Sequence, residues 1–293
     1  MKDKTVSGHL AALFTAVVWG TTFISTKILL KSFNPVEILF IRFIMGYLAL
    51  GIACPKRIPT GGWKEELTFA GAGLCGITLY YLTENLALTY TLASNVGVVV
   101  SAAPLFTAVL IHFVAKEERF GPGFLAGFAV SMAGICLISF NGARLELNPL
   151  GDLLSVAAAI LWACYSVITR KIGESGYSTI MVTRRIFFYG ILFLIPTLPV
   201  FDCRLGLGRF ADPVCLFNLV FLGLCASALC FVTWNYAVRV LGAIRTSVYI
   251  YMVPVVTVVT SVLVLREKIT VMAAAGTVLT LAGLVISEWK HNQ

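Results

Sequence analysis

The chain of 293 residues is 59% hydrophobic and 12% charged, with a mean hydropathy of +0.91. A soluble domain of this length has too little polar surface to cover so many apolar side chains, so the composition excludes a soluble globular protein and favours an integral membrane protein. The formal charge of +8 would suggest a nucleic-acid partner in a soluble protein, but these charges lie in loops and at helix ends, so no nucleic-acid partner is expected.

Ten apolar segments follow one another along the chain, and each is about as long as the helix that crosses a bilayer core roughly 30 Å thick. Lipid offers the backbone no hydrogen-bond partners, so we predict α-helices rather than open strands. The first segment is too long for the core of a signal peptide, and we expect it to be retained. The segments span residues 9–30, 35–54, 67–88, 92–115, 121–140, 150–171, 179–200, 213–238, 243–265 and 270–288.

The distribution of Lys and Arg predicts the orientation of these helices. With ten spans, twelve such residues lie in loops on the side of the N-terminus and seven in loops on the other side. Positively charged loops stay in the cytoplasm. We therefore predict a multi-pass protein of the cell membrane with both termini in the cytoplasm.

The second half of the sequence repeats rare residues of the first half at nearly constant spacing. The spacing is 143 residues in the first two segments of each half and 150 residues farther on, with the difference near the 200–213 loop. The matched pairs are Trp19 with Trp162, Arg42 with Arg185, Asn85 with Asn235, Pro104 with Pro254 and Glu117 with Glu267. Each half holds an odd number of segments, so the second half should enter the membrane in the opposite direction. The predicted fold is an all-α integral membrane protein of ten transmembrane helices in two inverted five-helix repeats, residues 1–145 and 146–293, an architecture typical of secondary transporters.

The matched residues also carry a family resemblance. The first segment of each half contains Trp followed by a small residue, V-W-G at 18–20 and L-W-A at 161–163, and the second segment contains Arg. Both halves then carry N-x-A near the end of the third segment, Pro in the fourth, and Glu just after it. Over nearly its whole length the sequence resembles the EamA type of the drug/metabolite transporter superfamily, whose members export amino acids, other metabolites and toxic compounds.

The resemblance has several implications for architecture and substrate. It implies cytoplasmic termini, no bound cofactor, a site enclosed by helices one to four and six to nine, and helices five and ten packed outside it or at a dimer contact. Related small multidrug exporters rely on a carboxylate in their first helix, and segment 9–30 has no acidic residue. That difference weakens the case for export of cationic drugs.

Aromatic and uncharged polar side chains deep within the segments are candidates for substrate binding. Aromatic belts lie near helix ends, whereas Trp19 lies well inside its segment. Aromatic rings in a cavity stack on apolar or cationic solutes, and Ser, Thr and Asn form hydrogen bonds with a zwitterion. Ordinary helix packing explains any single ring equally well. The predicted substrate-binding residues are Trp19, Thr22, Tyr80, Tyr81, Glu84, Asn85, Ser101, Trp162, Tyr165, Trp234, Asn235, Tyr249 and Tyr251.

Charged residues within the apolar segments, namely Glu84, Arg42 and Arg185, are candidates for ion or proton coupling. Intramembrane carboxylates are costly and functional by default, and Glu84 is the acidic residue best placed to take up a proton. Its match in the second half is Trp234, so any such role is asymmetric. The alternatives for Glu84 are an ion pair with Arg42 and simple solvation at the membrane interface. For the two arginines they are bonds that tie helices together or bidentate binding of an anionic group of the substrate.

Pro104 and Pro254 lie in the fourth segment of each half. Each removes a helix hydrogen bond and pushes back the preceding turn. The expected result is either a hinge, at which local unwinding lines or gates the cavity, or a static kink.

Enzymatic and metal-binding chemistries lack their residues in this sequence. It contains no P-loop, no H-E-x-x-H and no G-x-S-x-G, and its three His are scattered, so neither an enzyme nor a metal site is expected. The eight Cys form no C-x-x-C pair. Cys203 and Cys215 flank one loop, and they would form a disulfide only if that loop faced an oxidising space.

The sequence therefore predicts a secondary transporter, a monomer or homodimer in the lipid bilayer, whose partner is a small-molecule substrate. The expected activity is export of small metabolites, first of all amino acids or related zwitterions, by proton coupling or by facilitated release. One alternative is an exporter of multiple drugs or cationic compounds, favoured if Glu84 is unpaired in the cavity. The other is a membrane scaffold or sensor that moves nothing, favoured by solid packing near Trp19 and Trp162.

Overall fold

The computed structural model describes residues 2–56, 58–59, 61–90, 96, 99–114, 121–139, 148–201, 203, 207–265 and 270–289, and within these ranges all regular structure is helical. The main helices are α1 (Lys2–Leu29), α2 (Pro35–Ala53), α3 (63–90), α4 (Ala103–Val114), α5 (Pro122–Ser139), α6 (Pro149–Gly173), α7 (Thr179–Leu194), α8 (Pro213–Leu241), α9 (243–265) and α10 (Val271–Trp289). The matched Glu117 and Glu267, and the predicted boundary between the repeats at 145, lie outside the described residues.

Several of these helices are long and apolar enough for a bilayer. By length and composition, four stretches of the described chain are able to cross a membrane: Lys4–Thr26, Pro35–Ala53, Pro149–Gly173 and Pro213–Leu241. Shorter apolar helices span Ala103–Val114, Pro122–Ile138, Ala243–Thr257 and Ala274–Ser287. This set of helices fits the membrane protein that the composition predicts.

Asn or Asp followed by Pro begins three of the helices. The Asn34 side chain accepts a hydrogen bond from the backbone N–H of Val36, 3.1 Å away, and Asn148 does the same at the start of α6. Asp212 caps α8 in the same way. The cap satisfies a backbone donor that the first turn leaves free, and Pro at the first helical position loses no hydrogen bond.

The predicted segment 179–200 is not one helix. The helix α7 ends at Leu194, and a separate short helix covers Thr197–Val200. Pro196 lies between them and has no backbone N–H to donate to the preceding turn, which accounts for the break.

The third helix of each half contains a π-helical stretch that the sequence did not predict. It covers Leu74–Leu79 in α3 and Phe221–Leu229 in α8. A repeated G-L-C lies at the start of the first stretch, residues 73–75, and within the second, residues 223–225. π-helical turns are rare and occur frequently at functional sites.

Helix packing is nearly unchanged when the two halves are exchanged. The helix α1 packs on α8 as α6 packs on α3, and α2 packs on α8 as α7 packs on α3. Likewise α1 contacts α9 as α6 contacts α4. The first four helices of each half thus interleave with those of the other half.

The helices α5 and α10 form the most extensive helix pair of the described chain. Gly134 faces Gly276 so closely that a Cβ on Gly134 would lie 2.5 Å from the Gly276 carbonyl oxygen, and a Cβ on Gly283 would lie 2.6 Å from the carbonyl oxygen of Gly127. The Ser131 hydroxyl donates to the carbonyl of Thr280 across this contact, 3.2 Å away. Small residues allow such an approach of two backbones.

The two prolines of the fourth segments each follow an interruption of the α-helix. Pro104 lies in the first turn of α4, directly after a turn at residues 101–102. Pro254 lies in the first turn of Met252–Leu265, directly after a 3₁₀ turn at Tyr249–Tyr251. Both helices therefore leave regular α geometry just before proline, an arrangement that fits a hinge and a static kink alike.

The loop between α7 and α8 contains no disulfide between Cys203 and Cys215. Cys215 is a buried free thiol whose sulfur donates to the Asp212 carboxylate, 3.4 Å away. The loop is instead fastened to the first half, because the Asn34 amide donates to the Phe201 carbonyl and Arg209 pairs with Glu37, both at about the start of α2.

Candidate functional site

Three tryptophans from both halves meet at the centre of the helices. The ring centroids of Trp19 on α1 and Trp162 on α6 lie 5.2 Å apart, edge to face. Trp234 on α8 lies 5.1 Å from Trp19 and 5.7 Å from Trp162. Since α1 and α6 are matched helices, the repeat places its two rarest aromatic residues against each other.

The indole N–H groups of these tryptophans differ in how they are satisfied. Trp19 Nε1 donates to the carbonyl of Ala226, 3.0 Å away. Trp162 Nε1 and Trp234 Nε1 are buried without an acceptor in the described part of the chain. A buried donor without a partner is costly, so these two N–H groups are available to an acceptor that enters the cluster.

The end of α3 adds two tyrosines and a carboxylate to this cluster. The Tyr80 ring lies 5.1 Å from Trp162 and 4.9 Å from Tyr81, measured between centroids. The Tyr80 hydroxyl donates to Glu84 Oε1, 3.1 Å away and one turn along the helix. The structure therefore brings together six of the predicted substrate-binding residues, Trp19, Trp162, Trp234, Tyr80, Tyr81 and Glu84.

The proposed ion pair between Glu84 and Arg42 is not formed. Arg42 on α2 donates from Nε to the Ser227 hydroxyl, 2.8 Å away, and Glu84 receives its hydrogen bond from Tyr80. The residue matched to Arg42, Arg185, pairs with the Glu66 carboxylate through Nε and Nη2. Both arginines thus tie the second helix of one half to the third helix of the other.

Asn235 and Tyr165 form a closed hydrogen-bond network rather than open donors. The Tyr165 hydroxyl donates to Asn235 Oδ1, 2.8 Å away, and Asn235 Nδ2 donates to the Thr183 hydroxyl, 3.1 Å away. All three residues are buried. The network joins α6, α7 and α8, so its polar groups are satisfied within the protein.

Replacing Asn235 by Ala should lower the free energy of unfolding by about 1–3 kcal/mol, because the buried Tyr165 hydroxyl loses its acceptor. Thermal unfolding of the purified protein in detergent measures this change. Its repeat match offers a control: Asn85 is only partly buried and makes no hydrogen bond with the described residues, so Asn85→Ala should change stability far less. Equal losses in the two variants would contradict the structural role of Asn235.

The remaining predicted polar and aromatic residues do not join the tryptophans. Tyr249 lies beside His9 instead, with its hydroxyl 2.7 Å from Nδ1, near the start of α1. Tyr251 is buried in the same apolar core, and no ring contact joins it to the cluster in the described chain. The Thr22 hydroxyl donates to its own helix at the Trp19 carbonyl, and Ser101 is buried in the turn before α4. Aromatic character alone did not separate these positions from the site.

Phe231 is a member of the cluster that the sequence interpretation missed. Its ring lies 5.7 Å from Trp19 and 5.2 Å from Phe187, and it also contacts Phe43. Two signals point to it: it lies three residues before Trp234, on the same helix face, and its match at the 150-residue spacing is Tyr81. No three His, Cys, Asp or Glu side chains gather as a metal site in the ranges that the structure describes.

Comparison with known proteins assigns the family. The model of the EamA-like transporter family matches the chain twice, over residues 6–140 and 149–289. An uncharacterized transporter of Archaeoglobus fulgidus is 32% identical and covers 100% of both chains. A probable amino-acid metabolite efflux pump of Escherichia coli is 27% identical over 94% of this chain and 93% of its own. A probable terminal-alkyne amino-acid exporter of Streptantibioticus cattleyicolor is also 27% identical, over 94% of this chain and 91% of its own.

The fold is shared with a solved structure as well. One crystal structure superposes with a TM-score of 0.81 over 98% of both chains, at 20% sequence identity, which supports the fold alone. Together with the apolar helices, the family match identifies a multi-pass membrane protein whose relatives are transporters rather than enzymes. The chain belongs to the EamA-like transporter family.

Proposed function

We propose that this protein is a secondary transporter that exports small metabolites, first of all amino acids or related zwitterions, by alternating access. The observation that carries the proposal is the meeting of Trp19, Trp162 and Trp234 between the two halves, with Glu84 joined to them through Tyr80. Substrate sites of secondary transporters lie where such halves meet. The exporter and efflux-pump names of relatives at 27% identity support the same class of activity.

The proposed topology is ten transmembrane helices in two inverted repeats, residues 1–145 and 146–293, with both termini in the cytoplasm. Packing that is nearly unchanged on exchange of the halves supports a two-fold relation between them. Because each half has five helices, an odd number, the second half then enters the membrane in the opposite direction to the first. We propose a monomer or homodimer in the cell membrane, with a small-molecule substrate as its partner.

In this proposal the substrate stacks on the tryptophans and on Tyr80 and Tyr81. Trp162 Nε1 and Trp234 Nε1 donate hydrogen bonds to its polar atoms, because no acceptor among the described residues occupies them. Glu84 takes up the coupling proton, and in this role it acts without a matched carboxylate, since Trp234 stands at the corresponding position. The interruptions before Pro104 and Pro254 are the proposed hinges.

The rings are in mutual contact, so alternating access requires them to separate. The described structure then corresponds to a closed centre between inward-open and outward-open states. A non-transporting scaffold would also have solid packing near Trp19 and Trp162. A measurement of flux distinguishes such a scaffold from a transporter. Export of cationic compounds is the second candidate transport function, because Glu84 forms no ion pair in the described chain.

Flux through the purified protein in liposomes tests the proposal. A panel of labelled amino acids and one cationic dye is measured with and without an imposed pH gradient, against empty liposomes. Amino-acid flux that increases with the gradient is the expected result. Flux of the dye alone would replace the proposal by the cationic-compound exporter, and no flux of any compound would favour the scaffold.

A further inference from the structure

The two matched arginines differ in how their charge is neutralised. Arg185 has a full counter-charge, because the Glu66 carboxylate accepts from both its Nε and its Nη2, and Nη1 donates to the Ile58 carbonyl. Arg42 is 5% exposed, and its side chain forms no ion pair with any carboxylate in the described part of the chain. Within the described ranges the repeat therefore carries one arginine that forms an ion pair and one that does not.

The surroundings of Arg42 compensate its charge only in part. Its Nε donates to Ser227, and its Cζ lies 5.4 Å from the ring centroid of Phe43 and 5.3 Å from that of Tyr81. Arg does not lose its proton in proteins, so burial cannot be relieved by deprotonation. A hydroxyl and two ring faces are weaker partners for a guanidinium than a carboxylate, which meets it bidentately. An anionic group is the partner that this position lacks.

Arg42 also belongs to the same continuous set of side chains as the proposed transport site. The Tyr81 ring contacts the guanidinium on one side and the Tyr80 ring on the other. Tyr80 in turn contacts Trp162 and donates to Glu84. A positive and a negative charge thus flank a pair of tyrosines without forming an ion pair with each other.

We propose that Arg42 binds the carboxylate of the transported solute, and that Glu84 meets its ammonium group across Tyr80 and Tyr81. The substrate class is then a zwitterion with both groups, and the arginine rejects amines that lack a carboxylate. This assignment rests on the proposed transport function, but it is tested by binding without flux. Ser227 is a positioning residue, since its hydroxyl accepts the hydrogen bond from Arg42 Nε and so orients the guanidinium.

The test measures binding to the purified chain as a ligand-induced increase in thermal stability. A panel of amino acids is titrated, each beside its amide, which keeps the amine and removes the anionic carboxylate. We expect at least one amino acid to bind about tenfold or more tightly than its amide, because a site with a buried unpaired group discriminates strongly against a ligand that leaves it unpaired. The Arg42→Gln variant should bind the amino acid and its amide with equal affinity, because both can still stack on the aromatic rings.

Two further variants keep the test decisive if Arg42→Gln does not fold. Ser227→Ala leaves the charge in place and should reduce the preference for the amino acid several-fold. Arg184→Gln is the matched control, because Arg184 donates to the carbonyls of Cys54 and Lys56 and should keep the full preference.

A preference for the carboxylate that survives in Arg42→Gln, or that is undiminished in Ser227→Ala where only that variant folds, would overturn the assignment. So would a panel in which no amino acid binds more tightly than its amide. Binding with the expected preference but without flux in liposomes would instead overturn the exporter and leave the assignment to Arg42 intact.

Discussion

Replacing Glu84 by Gln should reduce amino-acid flux driven by a pH gradient to the level seen without the gradient, a loss of about tenfold or more if this carboxylate is the coupling group. Gln keeps the size of the side chain and can still accept a hydrogen bond from Tyr80, so the helix packing should survive. What it removes is the ability to bind and release a proton. Exchange of labelled for unlabelled substrate across the liposome membrane, which needs no net proton movement, should persist, although at higher substrate concentration, because the Glu84→Gln variant lacks the charge that meets the ammonium group.

The same helix supplies the control for this experiment. Glu66 lies near the start of α3 and pairs with Arg185, and it is partly exposed. Glu66→Gln should therefore keep the response to the gradient while it weakens a tie between α3 and α7. A Glu84→Gln protein whose flux still rises with the gradient would mean that the carboxylate is structural and that coupling, if present, lies elsewhere.

Replacing Gly134 by Ala should destabilise the protein by about 3 kcal/mol or more, a large effect for one methyl group. The added Cβ would lie 2.5 Å from the Gly276 carbonyl oxygen and 2.5 Å from the Thr280 backbone nitrogen. Both neighbours are backbone atoms of α10, so no side-chain rotation relieves the contact, and the two helices must move apart. The midpoint of thermal unfolding, followed by the loss of the monodisperse peak in size-exclusion chromatography, measures the change.

Gly121→Ala is the matched control for this substitution. A Cβ at Gly121 meets no atom of the described residues within 4 Å, so the same change of one methyl group should leave the unfolding midpoint nearly unchanged. If Gly134→Ala were as stable as that control, the close contact between α5 and α10 would not exist in the membrane protein.

The residues at the centre of the candidate site could be selected from the sequence because they belong to types that are rare in apolar segments. Tryptophan deep in an apolar segment and glutamate near the end of another are conspicuous in a sequence, and Trp19, Trp162 and Glu84 were found in this way. Their meeting follows from the repeat, which relates α1 to α6 and leads both to the interface between the halves. Helix starts were predictable for the same reason, since Asn34 and Asn148 precede proline.

The features that the sequence did not predict depend on contacts between distant segments. Tyr165, Asn235 and Tyr249 have the same chemistry as the residues of the candidate site. Only the packing of α6, α7 and α8, or of His9 on Tyr249, decides that their polar groups are occupied. The pairing of Arg185 with Glu66 is of the same kind, because the two residues lie 119 positions apart. The π-helical stretches have no characteristic residue composition, so residue propensities do not predict them.

The π-helical stretches determine the direction in which the side chains of the candidate site leave their helices. An α-helix advances about 100° per residue, and a π-helical turn accommodates an additional residue, so it offsets the face on which all later side chains emerge. In α3 the stretch Leu74–Leu79 separates Gly73, which packs against Gly190 of α7, from Tyr80, whose ring contacts Trp162 and whose hydroxyl donates to Glu84. The helix α3 thereby presents one face to α7 and another to the tryptophans, and a single-residue deletion within the stretch would rotate the Glu84 carboxylate about a quarter turn out of register.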